Sequence, residues 1–349
     1  MEGGRMANQK AAEGVTMKKV LFYLIMFCVT LTLMVVLSEL LLRLTGNGPW
    51  TYDVRRPNAP TIHDRDPVFG WRNREGSYVF SPYAESGEKF HMTFLPGGRR
   101  AAGSGESAAK DAILLVGGSY MQGWAISDHD TCAWKLQQKY PSLNVLNYGT
   151  DGYGTYQSLL VLERELPLLP SPLLVLYGFM EHHETRNVAP ARWLRSLSEF
   201  SGTEDVYIPY VTLDLQKSLV RHPPERYMVT PWRESLALMN HLGKKYATLL
   251  TKDRDAQKSE VTEKILLEMN RLSEARGARF AVVLFSASEK TRDHYMRYLT
   301  ARDIIVIDCI YPDSPDMTVP GEGHPNGRKN SLWAECISSD NGIRAALGH

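Results

Sequence analysis

Cysteine is scarce. The 349 residues hold four, none in a C-x-x-C pair, which excludes a disulfide-built scaffold and offers no zinc-ligand spacing. An excess of either charge is also missing: 40 basic side chains face 39 acidic ones, for a net charge of +1, and no Lys/Arg stripe stands out. Binding nucleic acid through counterion release needs clustered cations, so no nucleic-acid partner is expected. Histidines four residues apart are lacking too. Glu181, His182, His183 and Glu184 place the two imidazoles side by side, and adjacent side chains point in different directions on any regular element, so no metal site is expected. The rest, 43% hydrophobic and 23% charged residues, is the profile of a folded chain long enough for one large domain or two ordinary ones.

One segment departs from that average. Val20 to Ser38 runs 19 residues without a charge, and at about 1.5 Å per helical residue it nearly crosses a hydrocarbon core of about 30 Å. A cleaved signal peptide has a shorter apolar region ending in a small-x-small site, whereas this run continues into Glu39, three leucines and Arg43. Residues 20–42 are therefore read as an uncleaved anchor and residues 1–19 as a cytoplasmic leader, small, polar and disordered over 1–16. Arg5, Lys10, Lys18 and Lys19 before the span, against Arg43, Arg55 and Arg56 after it, tilt the positive-inside balance toward a cytoplasmic N-terminus. The expected location is a single pass through the cytoplasmic (inner) membrane with the bulk of the chain on the periplasmic or extracellular side. Glu39 and Arg43, four apart on a helix, are expected to pair at the membrane surface.

Beyond the anchor, residues 43–65 read as an irregular linker and residues 66–110 as a small β-rich preface, in which aromatic and β-branched runs are broken by Gly. The preface ends in a flexible junction of Gly, Ser and Ala over Ala101–Ala109. From residue 111 to 340 the pattern changes. AILLVGGS (112–119), NVLNYG (144–149), LLVLYGF (173–179), ARFAVVLFSA (278–287) and IIVIDC (304–309) are short apolar runs ending in Gly, Ser, Asp or their neighbours. Strands buried on both faces of a parallel sheet look like this. Helix candidates lie between them, among them 261–276, which stops at Gly277. The alternation implies an α/β layer fold whose reactive groups gather at the carboxyl ends of the strands. Residues 187–257 lack the strand-helix beat and are read as an insertion.

Two stretches can carry chemistry. Ser119 follows two glycines at the end of the first buried strand, where a tight turn exposes a hydroxyl and frees backbone N–H groups to hold an oxyanion; the same pattern also serves as a plain helix cap. His324 stands in a Gly- and Pro-rich loop, VPGEGHPN, with Glu322 two residues upstream. An imidazole there suits a general base, and a neighbouring carboxylate fixes its tautomer. Cys309 and Cys336 are expected as reduced buried thiols, although both could approach each other in an oxidising compartment. Trp124 and Trp134 are read as aromatic packing.

Together these residues resemble the SGNH, or GDSL-like, hydrolases. Four blocks appear in the family's order: GGSYMQGWAISDHDT around Ser119, NYGTDGYGTYQ from Asn147, YGFMEHHETRN from Tyr177, and GEGHPNG from Gly321. The preface DPVFGWRNREGSY resembles the lead-in of membrane-anchored bacterial members. The resemblance spans about residues 66–337 and implies a flavodoxin-like three-layer α/β/α sandwich with a parallel sheet. It implies Ser119 as nucleophile, His324 as base and then acid, Glu322 in the usual Asp position, and the N–H groups of Ser119 and Gly152 in the oxyanion hole. Two residues depart from the pattern. Gly118 replaces an acidic residue, and the third block has no Asn, for which His182 is the best substitute, with His183 and Glu181 one residue away on either side. The implied activity is a membrane-anchored serine esterase or deacylase acting on an acyl ester of an envelope glycan or lipid, without metal or organic cofactor. The same constellation would serve an O-acyltransferase for an extracytoplasmic polysaccharide, and a third reading is a degenerate binding or assembly subunit. Protein partners are not legible.

Overall fold

The structure, a computed structural model, describes residues 2–53, 59–103 and 111–348, with side chains from Met17 onward. Arg55, Arg56 and most of the Ala101–Ala109 junction lie outside the described residues. The chain divides into two compact units, one of the N-terminal residues to Tyr52 with Met228–Leu249, the other of Asp53–Tyr227 with Leu250–His349.

The larger unit is built on an eight-stranded sheet. Five parallel strands come first, in spatial order Ile305–Asp308, Arg279–Ser286, Pro172–Met180, Ala112–Gly117 and Asn144–Asn147. Numbered by sequence, that order is the 2-1-3-4-5 of a doubly wound, flavodoxin-like sheet read from its other edge. The Ala112–Gly117 strand is buried at every position, as the unbroken apolar run requires when helices cover both faces. Its alternate side chains face opposite layers. Ile113 and Leu115 join Leu136, Trp333 and Ile337 in one core, which the helices Cys132–Lys139 and Gly327–Ser339 supply. On the other side Thr155–Glu165 and Lys258–Ala275 pack together and bury Leu159, Leu162, Ile265, Leu266 and Met269. The mixed α/β class with a mainly parallel sheet flanked by helices is thus the one the apolar rhythm implies.

The preface is not a free-standing piece. Its strands Gly76–Phe80, Phe90–Leu95 and Arg99–Arg100 continue the same sheet in antiparallel sense, joined to it where Arg100 pairs with Asn147. Arg100 explains the attachment. Its guanidinium is fully buried, bonded to Asp128 Oδ1 (2.6 Å) and to the carbonyls of Gly123 (3.0 Å), Ile126 (2.8 Å) and His91 (3.3 Å). A second hairpin, His63–Asp66 with Gly70–Asn73, begins inside the stretch read as linker.

Residues 187–257 hold more regular structure than their sequence suggests: helix Ala191–Ser201, a hairpin of Ile208–Leu213 with Leu219–Glu225, and helix Ala237–Ala256. Pro223 and Pro224 mask the second strand. They cannot donate to a ladder, and the register breaks between His222 and Glu225 where they stand. The expectation of reduced Cys309 and Cys336 is corrected. They form a disulfide with Cα atoms 6.0 Å apart, because the helix carrying Cys336 is drawn onto the strand end by Trp333 Nε1, which donates to Cys309 O at 3.0 Å. Cys132 stays free and buried, its thiol pushed up to about 12 by burial.

In the smaller unit one helix runs from Glu2 to Leu44. Helix therefore continues through the segment expected to be disordered, where Ala, Glu, Gln, Lys and Met favour it. Met17–Leu44 is long and apolar enough to cross a membrane and is not buried in the protein. Glu39 and Arg43 pair at 2.7 Å, and Glu39 does more than pair: its two oxygens accept the N–H groups of Ala237 (2.9 Å) and Leu238 (2.8 Å), capping a helix that is distant in sequence.

Candidate active site

Parallel strands end together, so the loops that follow them converge. The turn after the Ala112–Gly117 strand is tight. Gly117 has φ of 155° and a side chain there would press on Gly178 O at 3.0 Å, so only glycine fits. Ser119 then opens a one-turn helix, Ser119–Gln122, closed by Gly123 in the left-handed region. Its N–H, like that of Gly152, has no partner within the protein among the described residues.

His324 reaches this hydroxyl from 205 positions away: Nε2 lies 3.0 Å from Ser119 Oγ. The loop that presents it is self-bonded. Val319 N–H donates to His324 O (2.7 Å) and Gly323 N–H to Val319 O (2.9 Å), while Asn326 caps the next helix through the N–H groups of Arg328 and Lys329. Glu322 Oε2 holds His324 twice, at the ring Nδ1 and at the backbone N–H, each 2.7 Å away. Glu322 Oε1 accepts Trp124 Nε1 at 2.9 Å. Burial alone would raise the Glu322 pKa, but the His324 and Trp124 donors outweigh it and hold the carboxyl below its ordinary value. Tyr120 meets the imidazole edge-on, ring centres 5.6 Å apart.

Trp124, read from sequence as packing, is therefore a ligand of the acid. It comes from a loop that Arg100 pins at Gly123 and Ile126. Between those contacts Ala125 has φ of 64°, a strained value for a residue with a side chain. Burial of Ala125 against Phe90, Met92 and Phe94 keeps it there. One chain of contacts thus runs from Arg100 through Trp124 and Glu322 to His324 and Ser119.

The Asp151–Gly152 turn is braced by the preface as well. Gly152 has φ of 78°, and a side chain on it would strike the Trp71 ring at 2.7 Å. Trp71 Nε1 donates to Asp151 O (3.0 Å), and Asp151 Oδ1 meets His63 Nε2 (2.7 Å) and Gln122 Nε2 (3.3 Å). None of His63, Trp71 or Gln122 has a local sequence signal for this role.

The two third-block histidines separate. His183 is fully buried: its Nδ1 accepts the Met180 N–H (3.5 Å) and lies 2.7 Å from the Tyr177 hydroxyl. Its Nε2 has no partner among the described residues and stands 2.7 Å from where a side chain on residue 118 would begin. Gly118 and His183 are therefore a matched pair, the missing acid leaving room for the imidazole. His182 stays exposed at the start of helix His183–Val188. Although solvent reaches part of this side chain, the protein packed around its ring, and after it the Arg186 and His324 charges, lower its pKa. Arg186 donates to Tyr153 O (2.8 Å), lies over the Trp193 ring and is itself pushed down to about 10 by burial. Glu181 turns away to the Ser288 N–H (2.6 Å).

No family model and no curated protein matches the sequence. Among solved structures the chain is similar to a lipolytic protein of the G-D-S-L family from Veillonella parvula, at 12% identity and a TM-score of 0.40, over 66% of this chain and 98% of that one. It is similar also to the psychrotrophic esterase EstA from Pseudoalteromonas sp., at 12% identity and a TM-score of 0.40, over 68% and 99%. A putative lipolytic protein of the same family from Desulfitobacterium hafniense aligns at 10% identity and a TM-score of 0.38, over 65% and 97%.

Proposed function

We propose that the protein is a serine-dependent carboxylic ester hydrolase, held at a membrane by its apolar N-terminal helix and acting on an acyl ester of an envelope glycan or lipid. The observation that carries this is the line of three groups, Ser119 Oγ to His324 Nε2 at 3.0 Å and His324 Nδ1 to Glu322 at 2.7 Å. In this reading Ser119 Oγ attacks the carbonyl carbon as its proton passes to His324 Nε2. The ionised Glu322 steadies the imidazolium that forms. Negative charge on the carbonyl oxygen is met by the N–H groups of Ser119 and Gly152 and by the neutral His182 ring, with the Arg186 cation behind them. His324 returns the proton to the departing alcohol, leaving an acyl-serine. Water then gives a proton to His324 and its oxygen to the acyl carbon, and the serine hydroxyl is restored.

The full chain in detergent, assayed with a chromogenic acetyl ester, tests the reading. Ser119→Ala is expected to lower kcat by about 10⁴-fold or more with little change in KM. Hydrolysis that persists in this variant would remove Ser119 as nucleophile.

A further inference from the structure

Helix Ala237–Ala256 is turned inside out relative to a helix on a water-facing surface. Its buried stripe is small or polar, Gly243, Ala247 and Thr251, while large apolar side chains are exposed: Leu242 (52%), Tyr246 (53%), Leu249 (60%) and Leu250 (60%). These four stand at i, i+4, i+7 and i+8, which is one continuous helical face. Close packing enforces the inversion, since a side chain on Gly243 would meet Thr230 Oγ1 at 2.7 Å. A contiguous apolar face of this kind is a contact surface rather than a scatter of single exposed residues.

We propose that this face lies in the interfacial layer of the same lipid bilayer that the N-terminal helix crosses. The inference rests on the membrane-anchor reading. Several observations select lipid as the occupant. The helix start is fastened to the end of the apolar span: Glu39 caps Ala237 and Leu238, and Arg43 donates to Ser235 O at 3.0 Å. Just past the span, Gly48 O accepts the Asn240 side chain at 2.9 Å. Exposed Lys244, Lys245 and Lys252 suit anionic headgroups. Trp232, 72% exposed before the helix, and Tyr246 are the residue types enriched at the headgroup level. Asp253 ends the apolar face on its C-terminal side. The span and the helix would then form a two-point attachment, one element crossing the bilayer and one resting on it.

Spin-label accessibility on the full chain tests this, in vesicles of phosphatidylcholine and phosphatidylglycerol. Three single-cysteine variants, Leu249→Cys, Lys244→Cys and Leu31→Cys, are made on a Cys28→Ser background and labelled without reductant. All three positions are exposed, so labelling leaves packing intact. The expected result is a several-fold higher ratio of oxygen to aqueous nickel accessibility at 249 than at 244, with 31 higher still. A nickel-accessible 249 beside a lipid-exposed 31 would overturn this inference and leave the anchor standing. A nickel-accessible 31 would overturn the anchor reading itself. A label at 249 shielded from both reagents would mean a protein occupant, and would overturn lipid.

Discussion

Single side chains decide whether the Ser119–His324 contact can work as chemistry. In the proposed reaction Glu322 has to remain an anion for His324 to become one half of an ion pair during acylation, and its depressed pKa depends on donors that can be removed one at a time. The sign follows directly: a carboxylate with a lowered pKa keeps its charge as pH falls until that lowered value is reached, and losing a donor brings the loss of charge to higher pH. Trp124→Phe is therefore expected to shift the acid limb of kcat/KM upward and to cost about 1.5–3 kcal/mol of Glu322 stabilisation, with the alkaline limb unmoved. A pH-rate profile checks it. If His182 serves as the proposed oxyanion donor, His182→Ala is expected to lower kcat by about 100- to 1000-fold, the ordinary effect of removing one such donor, and to leave fluorophosphonate labelling of Ser119 slower but present. Unchanged turnover in that variant would return the donor role to backbone N–H groups alone. At Gly118 a side chain would begin 2.7 Å from His183 Nε2, so an acid there would require this imidazole to move.

At the scale of elements, the preface works as a brace for the site. Arg100 reaches from the edge of the sheet into the loop that carries Trp124, and the His63–Asp66 hairpin with its partner strand supports the Asp151–Gly152 turn. Replacing Arg100 by Lys keeps the charge but removes the fork that spans Asp128 and the carbonyls. Arg100→Lys is expected to lose about 2–4 kcal/mol of stability by denaturant unfolding and to lower kcat more than KM, because the strained Ala125 loop relaxes. The disulfide holds a second element. Cys309 and Cys336 are 27 positions apart, a loop whose closure contributes about 3–4 kcal/mol in the chain-entropy account. Dithiothreitol is expected to lower the Tm measurably while the folded protein keeps the proposed esterase activity at low temperature, since the sulfurs bond each other and not Ser119 or His324.

For the whole molecule, the sequence revealed what is periodic and hid what depends on distant contacts. Fully apolar runs such as Ala112–Gly117 announce a sheet covered on both faces, and the unbroken Val20–Ser38 stretch announces a helix long and apolar enough to cross a membrane, because each pattern needs an apolar residue at every position. The meeting of Ser119, His324 and Glu322 was expected only through the resemblance of four short blocks in order, because their Gly-rich turns alone read equally well as a helix cap and a plain loop. Trp124, Arg100, His63 and Arg186 were not legible, since each matters through a partner far away in sequence and sits in no recurring local pattern. The same reason conceals the capping of Ala237 and Leu238 by Glu39, which from sequence looks like a simple i, i+4 pair. The hairpin at Ile208–Glu225 was lost for a different cause, the two prolines that contradict a strand locally but are accommodated at a register break.

The most direct test of the account is to treat the full chain with a fluorophosphonate and map the modified peptide by mass spectrometry. One adduct is expected, on Ser119, with labelling strongly reduced in His324→Ala while the fold is retained. A folded wild-type protein that takes no label, or takes it on another residue, would contradict it.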